Sequence, residues 1–259
     1  MNKMTEARSF TPPWIIAHRG FKKKYPENTL AAFKAAMVAG VPMIELDVTL
    51  SRDRKLVVIH DATLERTTNG HGPVHDYTLE ELKQLDAGSW FHSDFAEERL
   101  PELNEVLELV KGRVITNIEI KSNAYESDHP SDAIENQVVD LVKQKKALDA
   151  VLISSFNADI LAQISELTER PALALISEKP ADADTLKTCQ RLKVFSWHPD
   201  RMILTHQQVQ LMHDAGIRVF PYNVDTPKAY RQMLAIKVDG VITNNSLLAK
   251  KRSKLKRAA

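Results

Sequence analysis

Nine short runs of apolar and β-branched residues alternate along the chain with longer segments whose apolar residues recur at helical spacing. Several of the runs are almost entirely apolar, which is typical of strands buried on both faces of a parallel sheet. We therefore expect a strand in each run: 14–18, 43–49, 56–60, 114–120, 151–155, 172–176, 194–197, 218–223 and 240–243.

Amphipathic stretches separate most of these runs and predict helices that cover the sheet. The clearest of them are 28–39, 133–148, 205–215 and 227–236. Regular alternation of strands with helices predicts an α/β protein built on a parallel sheet.

The third run differs from the others because only six residues, LSRDRK, separate it from the run before it. A crossover between parallel strands needs about a dozen residues or more. We therefore predict that 56–60 returns antiparallel after a turn at 51–55 and carries His60 back to the end of the preceding strand. Eight parallel strands then remain, the number that closes a (β/α)8 TIM barrel.

The length of 259 residues suits one such barrel, because this fold typically needs about 250 residues. Residues 61–112 separate His60 from the next parallel strand and predict a small insertion over the barrel mouth, with helices starting at Thr78 and spanning 103–110. We predict a single barrel domain over residues 1–248, followed by a basic tail at 249–259.

Composition adds that the protein is an ordinary soluble one, with 43% apolar and 27% charged residues. These values argue against collagen-like, disordered and membrane classes. The N-terminus lacks a secretory signal core, and no apolar stretch approaches the roughly 20 residues that span a bilayer. With the lone Cys189, these features predict a cytoplasmic protein without a membrane span.

The net charge of +1 is distributed unevenly, because six Lys and Arg residues lie between 250 and 257. The rest of the chain has 29 basic against 34 acidic side chains. Such a tail is able to contact nucleic acid or anionic lipid, but a solvated chain end is the simpler interpretation. We expect no nucleic-acid partner.

Charged residues interrupt two of the apolar strands near their carboxyl ends, where parallel barrels build their active sites. Glu45 and Asp47 lie two residues apart, as do Glu119 and Lys121, so each pair leaves the same face of its strand. Three carboxylates in a poorly hydrated pocket need a counterion, and oxygen ligands favour Mg²⁺, Ca²⁺ or Mn²⁺. We predict one divalent cation on Glu45, Asp47 and Glu119. Ordinary surface acids are the alternative, and they are rare in apolar strands.

Two histidines end predicted strands, His18 the first run and His60 the returning one. Imidazoles, with a pKa of about 6.5, suit a reaction that removes one proton and delivers another. We predict that this pair is catalytic, the alternative being two packed histidines. His198 is predicted to be structural.

Arg19 and Lys121 would place positive charge beside the cation, which indicates an anionic substrate. For Arg19, a salt bridge to Glu27 or Glu45 remains an equally good interpretation.

The order of five short motifs resembles the glycerophosphodiester phosphodiesterase family over almost the whole chain. The motifs are HRG at 18–20, PENT at 26–29, ELD at 45–47, HD at 60–61 and EIK at 119–121, with LERTTNGHG at 64–72 and LDAGSWF at 85–91 adding specificity. The resemblance implies a (β/α)8 barrel, a divalent metal, commonly Ca²⁺ or Mg²⁺, and hydrolysis of glycerophosphodiesters to glycerol 3-phosphate and an alcohol.

The resemblance also implies a role for each matching residue. The family's acid/base pair corresponds to His18 and His60. Its metal ligands correspond to Glu45, Asp47 and Glu119. Its phosphate contacts correspond to Arg19 and Lys121. The chain departs from the family's pattern at Asn223, Asp225 and Asn244, which concerns substrate preference more than reaction type.

Two other functions stay open at this point. A phosphodiesterase of the lysophospholipase D type would need an apolar surface at the mouth, for which Trp90, Phe91 and Phe95 are candidates. A catalytically silent barrel that binds metal or phosphate is the other alternative. The sequence also leaves open whether the protein forms a homodimer.

Overall fold

Each of the nine predicted runs forms a strand in the computed structural model, which describes residues 12–248. The strands are β1 (Trp14–Ala17), β2 (Met43–Leu50), β3 (Leu56–Val58), β4 (Ile115–Ile120), β5 (Val151–Ser155), β6 (Ala172–Ser177), β7 (Ser196–Pro199), β8 (Arg218–Val219) and β9 (Gly240–Thr243). The eighth strand is shorter than the predicted 218–223, although the Phe220 and Tyr222 N–H groups still donate to the Trp197 and Pro199 carbonyls, each at 2.9 Å.

The strands pair in the order β8-β7-β6-β5-β4-β2-β1-β9, and every pair in this row is parallel. β3 lies outside the row and pairs antiparallel with β2, with Val48 opposite Val58. This confirms the predicted hairpin, whose turn is closed by the Ser51 N–H donating to the Lys55 carbonyl at 3.0 Å.

Backbone hydrogen bonds bring the two ends of this row together. The Asp239 N–H donates to the Val219 carbonyl at 3.1 Å, and the Ile242 N–H donates to the Pro221 carbonyl at 2.9 Å. The eight parallel strands therefore form a nearly closed barrel, and the predicted fold is confirmed.

Helices follow the strands on the outside of this barrel, except for one short helix in the insertion. They are α1 (Leu30–Val38), α2 (Leu79–Leu82), α3 (Leu103–Val110), α4 (Ile134–Gln144), α5 (Ala158–Ser165), α6 (Ala183–Arg191), α7 (His206–Asp214) and α8 (Pro227–Ala235). Thr29 caps α1 by accepting the Ala32 N–H, and Thr78 and Glu81 form a capping box on α2. These caps explain why the helices begin where the apolar periodicity does.

The alternation of side chains along each strand separates two hydrophobic cores. The larger core lies between sheet and helices, and the smaller fills the barrel interior. The interior core contains Trp14, Ile16, Met43, Ile115, Leu152, Ala174, Phe220 and Ile242. Continuing the same alternation towards the strand ends puts His18, Glu45, Asp47, Glu119 and Lys121 above this apolar floor.

The insertion between β3 and α3 has a small core of its own, which includes Val57, Leu64, Leu82 and Leu100. Val57 of β3 connects this core to the barrel, and the first residues of the insertion, 61–63, line a cleft beside the end of β4. No helix in residues 12–248 is long and apolar enough to cross a membrane. The basic tail at 249–259 lies outside the described residues.

Candidate active site

The HRG motif forms a tight turn directly after β1. Arg19 and Gly20 both have left-handed backbone angles, with φ of 53° and 79°. A Cβ on Gly20 would lie 2.7 Å from the backbone carbonyl carbon of Ala32 in α1. Only glycine therefore fits here, and its close packing on α1 fixes the positions of His18 and Arg19.

Replacing Gly20 by alanine should destabilise the fold by about 1–3 kcal/mol and lower turnover, because the new methyl group displaces the turn from α1. Thermal unfolding and kcat measure the two effects. Gly216→Ala is a matched control, since Gly216 also has a left-handed φ of 75° but nothing within 4 Å of an added Cβ. Equal losses in the two variants would show that the close approach to α1 is unimportant.

Three carboxylates meet at the ends of β2 and β4. One oxygen from each of Glu45, Asp47 and Glu119 lies within 4.8 Å of the others. The structure thus brings together the three predicted metal ligands. Glu45 Oε2 accepts the Arg19 N–H at 2.8 Å, whereas Glu45 Oε1 is buried without a hydrogen-bond partner.

The electrostatics of this cluster favour a bound cation. Burial, together with the charges of Asp47 and Glu119, raises the pKa of Glu45. Burial and the charge of Asp47 raise the pKa of Glu119 to about 7. Burial acts in the same direction on Asp47, but Arg19 and Lys121 outweigh it and hold its pKa below the usual range. The residues present therefore fit a hard divalent cation, because such an ion accepts oxygen ligands and restores the charged form of all three.

Arg19 and Lys121 lie against these acids. The Arg19 guanidinium is 2.7 Å from Glu27 Oε1 and 3.2 Å from Asp47 Oδ2. The Lys121 ammonium is 2.6 Å from Glu119 Oε1 and 3.3 Å from Asp47 Oδ1. The salt bridge of Arg19 to Glu27, which the sequence left open, is therefore present.

Glu27 is the centre of a buried ion-pair network that the sequence did not predict. Its carboxylate binds Arg19, Lys22 at 2.7 Å and Arg66 at 2.8 Å. The neighbouring Asn28, with φ of 57°, donates its side-chain N–H to Asp47 Oδ2 at 2.9 Å. The PENT motif was visible in the sequence, but its role in holding Arg19 and Asp47 depends on contacts across the turn.

His60 is oriented by the residue that follows it. Its Nδ1 lies 2.5 Å from Asp61 Oδ1, and Arg66 donates to Asp61 Oδ2 at 2.6 Å. The hydrogen bond from Arg66 lowers the pKa of Asp61 to about 2, so the carboxylate is ionised and accepts from Nδ1–H. The available nitrogen of His60 is then Nε2. Burial lowers the pKa of this imidazole.

His18 is oriented by the end of the last strand, since its Nδ1 lies 2.7 Å from Asn244 Oδ1. Burial and the neighbouring Arg19 lower the pKa of His18 to about 3. His18 is therefore neutral at pH 7 unless a ligand changes its surroundings.

These groups share a cavity of about 220 Å³. Five predicted site residues line it: His18, Arg19, Glu45, His60 and Glu119. Its far side is lined by Tyr222, Asn223 and the buried His198, whose Nε2 lies 2.9 Å from Ser196 Oγ. Although His198 was predicted to be structural, the alternation of β7 turns its ring towards the cavity.

A larger cleft of about 540 Å³ opens beside the cavity. His60, Glu119 and Lys121 line it together with exposed residues that include Asn123. Phe156, which is 40% exposed, borders both spaces. A substrate with a group on either side of a phosphate therefore has room on both sides of the carboxylates.

The aromatic residues that the lipid alternative requires line neither of these two spaces. Trp90 contacts Phe91, Phe91 contacts Phe95, and Phe95 contacts Tyr25, with ring centroids 5.5 to 5.7 Å apart. This row of rings attaches the insertion to the segment that precedes α1.

Comparison with known proteins adds independent information about the same residues. The model of the glycerophosphoryl diester phosphodiesterase family matches residues 18–248, from the first histidine to the end of the barrel. A glycerophosphodiester phosphodiesterase of Caldanaerobacter subterraneus subsp. tengcongensis is 40% identical, covering 89% of this chain and 93% of the relative. One from Bacillus altitudinis is 39% identical, covering 89% and 94%. A phosphodiesterase structure from Oleispira antarctica, in complex with the product sn-glycerol-3-phosphate, superposes with a TM-score of 0.85 at 31% identity, covering 96% of this chain and 99% of that one.

Proposed function

This chain belongs to the glycerophosphoryl diester phosphodiesterase family, and on that premise we propose that it hydrolyses glycerophosphodiesters to glycerol 3-phosphate and an alcohol. The observation that carries the proposal is a cavity lined by two histidines and by two members, Glu45 and Glu119, of a cluster of three carboxylates. The product complex of the Oleispira antarctica relative supports the same substrate class. A metal- or phosphate-binding barrel without activity would not need two oriented histidines.

The proposal includes one divalent cation, Ca²⁺ or Mg²⁺ with Mn²⁺ as a third candidate, held by Glu45, Asp47 and Glu119. The unpartnered Oε1 of Glu45 supports this assignment, because a buried carboxylate oxygen without a donor is costly unless it ligates a cation. When bound, such a cation supplies positive charge that stabilises the phosphodiester oxygens in the transition state.

In the proposed reaction the two histidines move the protons. Both use Nδ1 for an orienting hydrogen bond, which leaves Nε2 of each ring to act on the substrate. One ring is neutral and its Nε2 accepts a proton from the attacking hydroxyl, whereas the other reacts as an imidazolium and donates its Nε2 proton to the leaving alkoxide. The attacking hydroxyl belongs either to water or to the glycerol 2-position; in the second case a cyclic phosphate forms as the alcohol leaves, and water then opens it to glycerol 3-phosphate.

Arg19 and Lys121 are proposed to bind the phosphate oxygens. The ion-pair network of Glu27 fixes the guanidinium of Arg19, and Glu119 fixes the ammonium of Lys121. Because both side chains are held before the substrate arrives, little conformational entropy is lost on binding. The substrate phosphate would share these cations with the acids.

The direct test measures release of glycerol 3-phosphate from glycerophosphocholine and glycerophosphoethanolamine, in Mg²⁺ or Ca²⁺ and again after chelation. We expect turnover with a cation and a loss of at least about a hundredfold without one, because the three carboxylates then lack their counterion. A parallel assay with lysophosphatidylcholine tests the lipid alternative through release of lysophosphatidic acid. Cation binding without turnover of any of these substrates would favour the silent barrel.

A further inference from the structure

A row of hydrogen bonds leads from His18 to a carboxylate on the far side of Asn244. The Asn244 side-chain nitrogen donates to Asp225 Oδ2 at 2.7 Å, and the Asn244 backbone N–H donates to Asp225 Oδ1 at 2.8 Å. Thr243 Oγ1 donates to the same Oδ1 at 3.1 Å. Asp225 is therefore held by three donors, one of which is the amide that contacts His18.

The direction of every bond in this row follows from the chemistry of the groups. An ionised carboxylate only accepts hydrogen bonds, so the amide nitrogen of Asn244 must face Asp225. The amide oxygen then faces His18, and because it also only accepts, the hydrogen must be on His18 Nδ1. Nε2 of His18 consequently has its lone pair free.

We propose that Asp225 and Asn244 act as a positioning pair for His18, in which Asn244 fixes the tautomer of the ring and Asp225 fixes the orientation of the amide. Because the Asn244 amide lies between them, the carboxylate of Asp225 does not contact the imidazole of His18. The kinetic consequence of this arrangement rests on the function proposed above, whereas the tautomer itself does not.

The two histidines of the site differ in this respect. Asp61 places a carboxylate directly on Nδ1 of His60, but His18 receives a neutral amide oxygen. The charged groups that act on His18 are Arg19 and Lys22, which disfavour the imidazolium, and Asp47, which favours it. Both rings thus present Nε2, and only His60 has a carboxylate against the ring to stabilise a positive charge.

Replacing Asp225 by asparagine should invert the tautomer of His18. The oxygen of the new amide accepts hydrogen bonds from the Asn244 backbone N–H and the Thr243 hydroxyl. The NH₂ group of the new amide therefore faces the Asn244 side chain. Asn244 then turns its oxygen away from His18 and offers its NH₂ group, which requires a lone pair on Nδ1 and the hydrogen on Nε2. We expect kcat to fall at least about tenfold, the size of loss seen when a residue that orients a metal-ligating histidine is replaced.

The exchange variant Asp225→Asn with Asn244→Asp is the matched control. It preserves every hydrogen bond of the row and the net charge, but it moves the carboxylate into contact with Nδ1. We expect the Nδ1–H tautomer to return and the pKa of His18 to rise by about one to three units, because an opposite charge then adjoins the ring.

Long-range ¹H–¹⁵N NMR of the purified full-length chain with Mg²⁺ reads both the tautomer and the titration of His18, which is assigned by its loss in His18→Gln. The proposal is overturned if Nε2 carries the hydrogen in the wild type, if Asp225→Asn leaves the tautomer unchanged, or if the exchange variant does not raise the pKa. These spectra require no turnover. An inactive protein with the expected spectra would therefore refute the proposed function and leave the positioning pair intact.

Discussion

Replacement of His60 or His18 by glutamine should lower kcat by about 10²–10⁴-fold with little change in KM, because each ring is needed to transfer a proton in the transition state. Glutamine approximates the size of the imidazole and keeps a polar group in the cavity, but it cannot exchange a proton. Steady-state kinetics with glycerophosphocholine measure the effect. Thermal unfolding of each variant checks that the fold is retained.

The control for these variants is His71→Gln, which removes an exposed imidazole from the insertion. It should leave kcat unchanged. If both active-site variants retained wild-type turnover while the control behaved in the same way, acid/base catalysis by this pair would be refuted. If only one of them retained it, the reaction would need a single proton-transferring group.

Much of the site was predictable because the barrel obeys a simple geometric rule. Parallel strands bring their carboxyl ends to one edge, so polar residues at strand ends that are far apart in the sequence, such as His18 and Glu119, were expected to meet. The hairpin of β3 was predictable because only six residues separate its two predicted strands, which is too few for a parallel crossover. The insertion boundary and the single-domain organisation remain predictions.

The supporting residues were not predictable by the same reasoning, because their partners lie far apart in sequence and on different elements. Asn244 contacts His18 only where the last strand closes against the first. Arg66 reaches Glu27 and Asp61 from within the insertion, whose conformation has no strand periodicity to define it. In this barrel the periodic elements determine which side chains meet, and the loops determine how those side chains are oriented.

The proposed cation site predicts that Glu45→Gln is more stable than the wild type without a cation and less stable than the wild type with one. Without a cation the wild type buries a carboxylate whose Oε1 has no partner, next to Asp47 and Glu119. Because the pKa of Glu45 is raised above its ordinary 4.5, the metal-free wild type loses stability as the pH rises above that value. Glutamine has no such charge, so we expect the variant to unfold at a higher temperature than the wild type in chelator, with the difference larger at pH 8.5 than at pH 6.

With a cation the order should reverse. A ligand present at about a hundred times its Kd stabilises the native state by about 2.7 kcal/mol, and the variant with one carboxylate fewer should gain much less. Because protons compete for Glu119, whose pKa is raised to about 7, cation affinity should also weaken as the pH falls below that value. Thermal unfolding in Mg²⁺ or Ca²⁺ and calorimetric titration measure these effects.

The matched control is Glu135→Gln in α4, because Glu135 is also buried with one carboxylate oxygen unpartnered but lies outside the cluster. Its effect on stability should be the same with and without the cation. Equal stabilisation of Glu45→Gln and the wild type by the cation would remove Glu45 from the ligand set. The buried Oε1 of Glu45 would then need a hydrogen-bond donor, and only Arg19 and Lys121 would balance the negative charge of the carboxylates.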